Sequence, residues 1–207
     1  MALVKYNDRS LRNLTTVPAA VTGNSPGALV HIKTLTASSS DTLSFVDGAS
    51  SVVLDNTYPI YKFEFINIHS ANDDVTFHFQ TSINSGSSYG VTLTSTSFLA
   101  RLHENDSATY ADYQSSDDEA QTTNFKKLVG GHGNGNDESL SGNLTLFNPS
   151  STTFVKPFMS NVNSYHASDI SINWYQAGYF NTTSAIDAIQ FKMNSGNIDA
   201  GQIKLYG

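Results

Sequence analysis

The sequence predicts an all-β protein: an antiparallel β-sandwich, with a jelly roll as the expected arrangement, preceded by an extended N-terminal arm. Three observations lead there. Ser, Thr and Asn fill 67 of the 207 positions, and these side chains compete with a helix backbone while suiting turns and exposed strand faces. Apolar residues recur at every second position in many short runs punctuated by Gly, Pro, Asn, Asp and Ser, the period of a half-buried strand. No helical spacing and no internal repeat lies between these runs, which disfavours a propeller or a β-helix. Twelve Phe and ten Tyr give such strands a bulky core.

Residues 1 to 27 form the arm. Lys5, Arg9 and Arg12 against Asp8 make it the one basic stretch, and Pro18, Gly23, Pro26 and Gly27 break any long element. Leu11, Leu14 and Val17 form a short apolar ridge. Two readings stand: a segment that covers an edge of its own domain, or an arm that docks on a neighbouring subunit and gains its binding energy on assembly. The interface candidates are Lys5, Arg9, Leu11, Arg12 and Leu14.

The sandwich domain spans residues 28 to 207. Leu29 to Leu35 alternates as a first strand, Leu43 and Phe45 mark a second, and Asp47-Gly48 is a turn before the apolar run Val52-Val53-Leu54. Ile60 to His69 is the longest run, with Tyr61, Phe63, Phe65 and Asn67 on one face, a pattern expected of a central strand. Val75, Phe77 and Phe79 follow a short loop, and this spacing predicts an antiparallel pair with the preceding strand. Val91 to Arg101 continues as strand after a Gly/Ser turn. Residues 104 to 137 carry little periodicity and read as a long irregular loop, of the kind that usually serves function or an interface. Strands resume at Leu140 to Leu146, Phe154 to Val162 and Ile170 to Phe180, the last with Ile172, Trp174 and Gln176 on one face. Two closing runs, Ile189-Phe191-Met193 and Ile203-Leu205, flank a Ser-Gly-Asn turn and predict a final strand pair whose last member lies inside a sheet.

Composition excludes several functions. A net charge of −7 argues against nucleic acid as the main partner, because that binding needs Lys and Arg on phosphates. Six of the eighteen acids fall between Glu104 and Glu119; they read as a solvated loop, with a calcium site or a basic docking partner as the alternatives. The absence of Cys removes disulfides and thiol chemistry. No apolar run approaches the roughly 18 residues of a membrane span. The opening MALVKYNDRS begins with Met and lacks the apolar core of a secretory signal, so an unprocessed start is expected. The sequons at Asn13, Asn105, Asn143 and Asn181 follow from an Asn- and Thr-rich composition.

Candidate chemistry is sparse. Gly86-Ser87-Ser88-Tyr89-Gly90 fits the G-x-S-x-G pattern, but the residues after it, VTLTSTSF, are strand formers where a hydrolase needs a helix. Gly130 to Glu138 (GGHGNGNDE) resembles a single calcium-binding nonapeptide where that site needs a stack; Asp137 and Glu138 with Asp117 or Asp118 are the remaining oxygen donors. His31, His69, His78, His103, His132 and His166 show no ligand spacing, although His69 and His78 lie on runs expected to pair. The neighbouring acids Asp73-Asp74 and Asp117-Asp118-Glu119 do not face each other across a cleft as glycoside hydrolysis requires. No catalytic, cofactor or metal site is therefore assigned. Tyr89, Tyr110, Tyr113 and Tyr165, in or near loops, are the candidates for ligand contact, either with a protein partner or with a saccharide.

The closing segment IDAIQFKMNSGNIDAGQIKLYG, residues 186 to 207, resembles the C-terminal end of a group of virion proteins from tailed phages of marine bacteria and cyanobacteria. The resemblance extends to Ala177–Ile186, to Leu146–Thr153 and to the opening MALVKYN. It implies a non-enzymatic structural protein on a virion surface, either tail- or tail-fibre-associated and receptor-binding, or a head-decoration (capsid cement) protein. Other virion proteins are the implied partners, with a homo-oligomer, a trimer among the options, and cell-surface glycan as a ligand. A carbohydrate-binding module is the remaining alternative. No cofactor, nucleic acid or membrane insertion is expected.

Overall fold

The computed structural model describes residues 29–207. The arm over residues 1 to 27, with Lys5, Arg9, Leu11, Arg12 and Leu14, lies outside them. Thirteen strands run β1 (His31–Thr36), β2 (Leu43–Val46), β3 (Ile60–Ser70), β4 (Val75–Ser82), β5 (Leu93–His103), β6 (Thr109–Tyr113), β7 (Glu119–Thr122), β8 (Lys126–His132), β9 (Leu140–Phe147), β10 (Lys156–His166), β11 (Ile170–Phe180), β12 (Ala188–Met193) and β13 (Ile198–Tyr206). One 3-10 turn, Ser115–Asp117, separates β6 from β7. The all-β expectation holds.

All pairings are antiparallel. The main path is β1-β13-β3-β9-β10-β8-β4-β12-β2, and β11, β5, β6 and β7 branch from β10. One half of the path is β1-β13-β3-β9, continued outward by β10, β11 and β5; the other is β8-β4-β12-β2. The halves meet through one residue pair, His166 opposite His132. The sheet thus curls nearly into a barrel, with its apolar faces turned inward.

The core follows from period-two burial. On β3, Tyr61, Phe63 and Phe65 are buried while Lys62 and Glu64 point outward. Phe191 of β12 sits at the centre, its ring centroid 5.3 to 6.4 Å from those of Phe45, Phe63, Phe65, Phe77 and Phe79. Edge-to-face and offset rings at these separations add to simple area burial. Ile189, Ile203 and Leu205 are fully buried beside them, as their alternation predicts. Val52 and Leu54 are buried too, although the chain there forms no strand.

Four expectations change. The closing runs do not pair with each other: β12 lies between β4 and β2, and β13 between β1 and β3. Likewise β3 and β4 do not pair but belong to opposite halves. Alternation specifies which face is buried and leaves the partner open. Here both connections cross between halves side by side, joined by Ala71 N–H to Asn197 O at 3.0 Å and Asn194 N–H to Thr76 O at 3.0 Å. Asn67 leaves the aromatic face of β3, because its φ of 48° makes a bulge that reverses the phase, burying Ile68 and Ser70. Finally, residues 104 to 137 are no long loop; they contain β6, β7 and β8. β6 and β7 extend an open edge and are largely exposed on both faces, and β8 is interrupted by Gly130-Gly131, so none of the three alternates cleanly.

Candidate functional site

The extension β10-β11-β5-β6 carries side chains on its outer face that no other described element covers. Cross-strand register builds two adjacent rows there. Asn143, Asn161, Tyr175, Phe98 and Tyr113 stand opposite one another in sequence across β9, β10, β11, β5 and β6. One step along the strands, Thr145, Met159, Ala177 and Thr96 make a second row. Apart from Tyr113, which flanks it, these two rows and Phe147 line a groove of 400 Å³ with no Lys, Arg, His, Asp or Glu among the described residues around it. Small Ala177 and the two threonines lower its floor, while the rings raise one wall.

The wall is ordered by hydrogen bonds. Phe98 and Tyr175 stack at 4.8 Å with their planes 10° apart. Asn173 Nδ2 donates to the Tyr175 hydroxyl at 2.6 Å. Thr96 Oγ1 donates to the Tyr113 hydroxyl at 3.3 Å, and that hydroxyl donates to Asp118, whose other oxygen accepts the Ser97 N–H at 3.2 Å. Tyr113 is 62% exposed and Phe98 52% exposed. Exposed rings held this firmly are pre-paid in ordering entropy before any ligand arrives.

Of the tyrosines singled out by sequence, none lines this groove; Tyr113 stands beside it, opposite Phe98 in the register. Tyr110 is on the same strand three residues away, hence on the other face; it lies opposite Arg101, whose guanidinium sits 4.5 Å over its ring. Tyr89 packs near Phe125 at 6.5 Å. Tyr165, at the end of β10, donates to Asp169 at 3.3 Å, and its hydroxyl is pushed up to about 12 by desolvation and the neighbouring acids Glu104 and Asp169. Tyr110 and Tyr113 are strand residues and not loop residues, which corrects their expected setting.

A second, charged cavity of 450 Å³ opens on the other half of the sheet. Lys192, His78 and Lys127 stand in one cross-strand row, covered by the turn that carries Asp117. Asp117 is 7% exposed, pairs its carboxylate with Lys127 and accepts a hydrogen bond on its carbonyl from buried Lys126. Burial lowers the Lys126 ammonium against the opposing pull of Asp117 and Glu119, and burial raises Glu119. Burial first, then Lys127 and Lys192, push His78 down to about 4, so it is neutral at pH 7. Lys192 lies 4.2 Å over the Phe125 ring.

The remaining motifs serve turns. Ser88 Oγ accepts from Asn84 Nδ2 at 2.8 Å, in a loop that feeds β5 directly. Within GGHGNGNDE, residues 130 to 132 belong to β8, and the Glu138 carboxylate accepts the Gly135 N–H. Asp117 and Asp137 line different cavities. Among the described residues no three His, Cys, Asp or Glu side chains converge as metal ligands. His69 and His78 sit on strands of opposite halves.

No known family, curated protein or solved structure matches the chain.

Proposed function

We propose that this chain is a non-enzymatic structural protein of a tailed-phage virion surface, tail- or tail-fibre-associated and receptor-binding, whose core is a jelly roll. The observation that carries the reading is the strand order. Omit the inserted β5–β7 and β10–β11, and number the remaining eight strands in chain order. One half then pairs first-eighth-third-sixth and the other fifth-fourth-seventh-second. This order supports the jelly-roll reading, because it matches the double Greek key of an architecture that recurs in capsid and lectin domains. Fold alone does not assign function; the closing segment's resemblance to virion proteins adds the setting. Lys5, Arg9 and Arg12 with Leu11 and Leu14 supply the anchor to a subunit or to the particle, and a homo-oligomer is its assembled form.

Head decoration is the alternative within this class. Electron cryo-microscopy of purified particles, with the chain located by a fused tag, separates the two. Density at the tail supports the receptor-binding role, density confined to the head replaces it with capsid cement, and absence from particles overturns the virion reading. A free carbohydrate-binding module is the second alternative, favoured by the uncharged groove; it requires a monomer missing from particles.

A further inference from the structure

We propose that the groove walled by Asn143, Asn161, Tyr175 and Phe98 binds a neutral oligosaccharide laid across the strands. The proposal rests on the receptor-binding reading for its biological setting, while its chemistry stands on the groove itself.

The lining selects the ligand class. Among the described residues, no Lys, Arg, Asp or Glu lines this groove. An anionic or cationic ligand finds no counter-charge there, so the occupant is neutral. The lining nevertheless pairs apolar rings with side chains that both donate and accept. Asn143 and Asn161 each offer a carbonyl and an amide, and Thr96 and Thr145 each offer a hydroxyl. Sugar hydroxyls have the same double character, and the C–H face of a pyranose packs on an aromatic ring. A purely apolar peptide partner leaves the amides unmatched, which is costly once water is excluded.

The dimensions agree. From β9 to β5 the groove crosses three strand spacings of about 4.8 Å, roughly 14 Å in all, the reach of a short oligosaccharide and not of a single sugar. Tyr113 on β6 lengthens the ring row by one more spacing. Ordering of Tyr113 through Asp118 and of Tyr175 through Asn173 means that binding does not have to freeze these rings.

The test uses the full chain on an array of neutral hexose and N-acetylhexosamine oligomers beside sulfated and sialylated ones, followed by calorimetric titration of the best hit. The expected result is binding to a neutral oligomer of three or more units that Phe98→Ala, Tyr175→Ala and Asn161→Ala each weaken at least tenfold, with Tm unchanged. Thr145→Lys, which places a charge on the floor, abolishes it. Lys192→Ala, in the charged cavity, leaves it intact. Binding only to acidic glycans, or binding that survives Phe98→Ala, overturns the proposal. So does an empty array. If the array is empty and Phe98→Ala also splits an oligomer in sedimentation velocity, the groove is a subunit interface. Particle localisation is read separately, so either conclusion can fall while the other stands.

Discussion

At the scale of single residues, three side chains concentrate the energetics. Phe191 touches rings from both halves of the sheet, so its removal opens a cavity that no single strand can close. Phe191→Ala is expected to cost about 3–5 kcal/mol, a Tm drop on the order of 10 °C for a chain this size, read by thermal unfolding. Lys126 is fully buried, and its ammonium is held by the Asp117 carbonyl. Truncating it to Ala leaves that buried carbonyl without its donor, for an expected loss of about 1–3 kcal/mol; chemical denaturation of Lys126→Ala checks this. His78 makes stability depend on pH. Its folded value of about 4 lies below the ordinary 6.5, so the unfolded chain binds the proton more readily. Stability is complete above pH 6.5 and is lost as pH falls toward 4, by about 1.4 kcal/mol per unit and on the order of 3 kcal/mol in all. Burial lowers His132 and His166 as well, with the same sign, whereas raised Glu119 acts in the opposite sense. Urea titrations between pH 4 and 7 are expected to show a shallower slope for His78→Gln than for the parent.

At the scale of elements, the strands that alternate cleanly were legible and their partners were not. β3, β11, β12 and β13 declare their buried faces in sequence, yet partner choice is made by residues far away in the chain. The bulge that offsets β3 against β13 shows why. It needs Asn67 at φ 48° on one strand and Gly201 at φ 109° on the other, where a Cβ would lie 2.4 Å from the Asn67 carbonyl oxygen. Gly201→Ala therefore strains the backbone and forces the strands apart; about 2–4 kcal/mol of destabilisation is expected from unfavourable φ together with overpacking, measurable in the same denaturation assay. The groove was hidden for a different reason. On β5 the inward set is Leu93, Ser95, Ser97 and Leu99, and the outward set includes Phe98 and Leu102. With hydroxyls inside and rings outside, alternation points the wrong way. Tyr113 beside the groove stands out because it sits in a polar stretch, whereas Phe98 and Tyr175 lie within strand runs, where rings are expected to add core bulk. The one sequence signal for them was that inversion, a Phe in phase with Thr96 and out of phase with Leu93 and Leu99.

At the scale of the whole molecule, the two halves of the sheet and the strands that extend one of them divide the labour. Strands β5–β7 and β10–β11 lengthen the same half and add a broad outer face, while the inward rings Phe158 and Phe180 pack on Phe79 beside the aromatic centre. Substitutions on that face, such as Phe98→Ala, are accordingly expected to leave Tm within about 2 °C, since exposed positions typically change stability by less than about 0.5 kcal/mol. Most pairings join distant parts of the chain, β1 with β13 and β2 with β12 among them, and such topologies close costly loops before contacts reward them. Refolding on the millisecond-to-second scale or slower is expected in stopped-flow fluorescence of Trp174.

The pairing of β1 with β13 also sets how the fold bears a load. Val30 and Gly207 exchange hydrogen bonds at 2.8 and 3.0 Å, and β1 then runs antiparallel to β13 from that point inward. Tension applied through residues 29 and 207 pulls across this ladder from its open end, so its bonds break in succession and not together. The protein unzips softly along this axis, whereas tension through residues 36 and 207 shears the same bonds in parallel and meets far greater resistance.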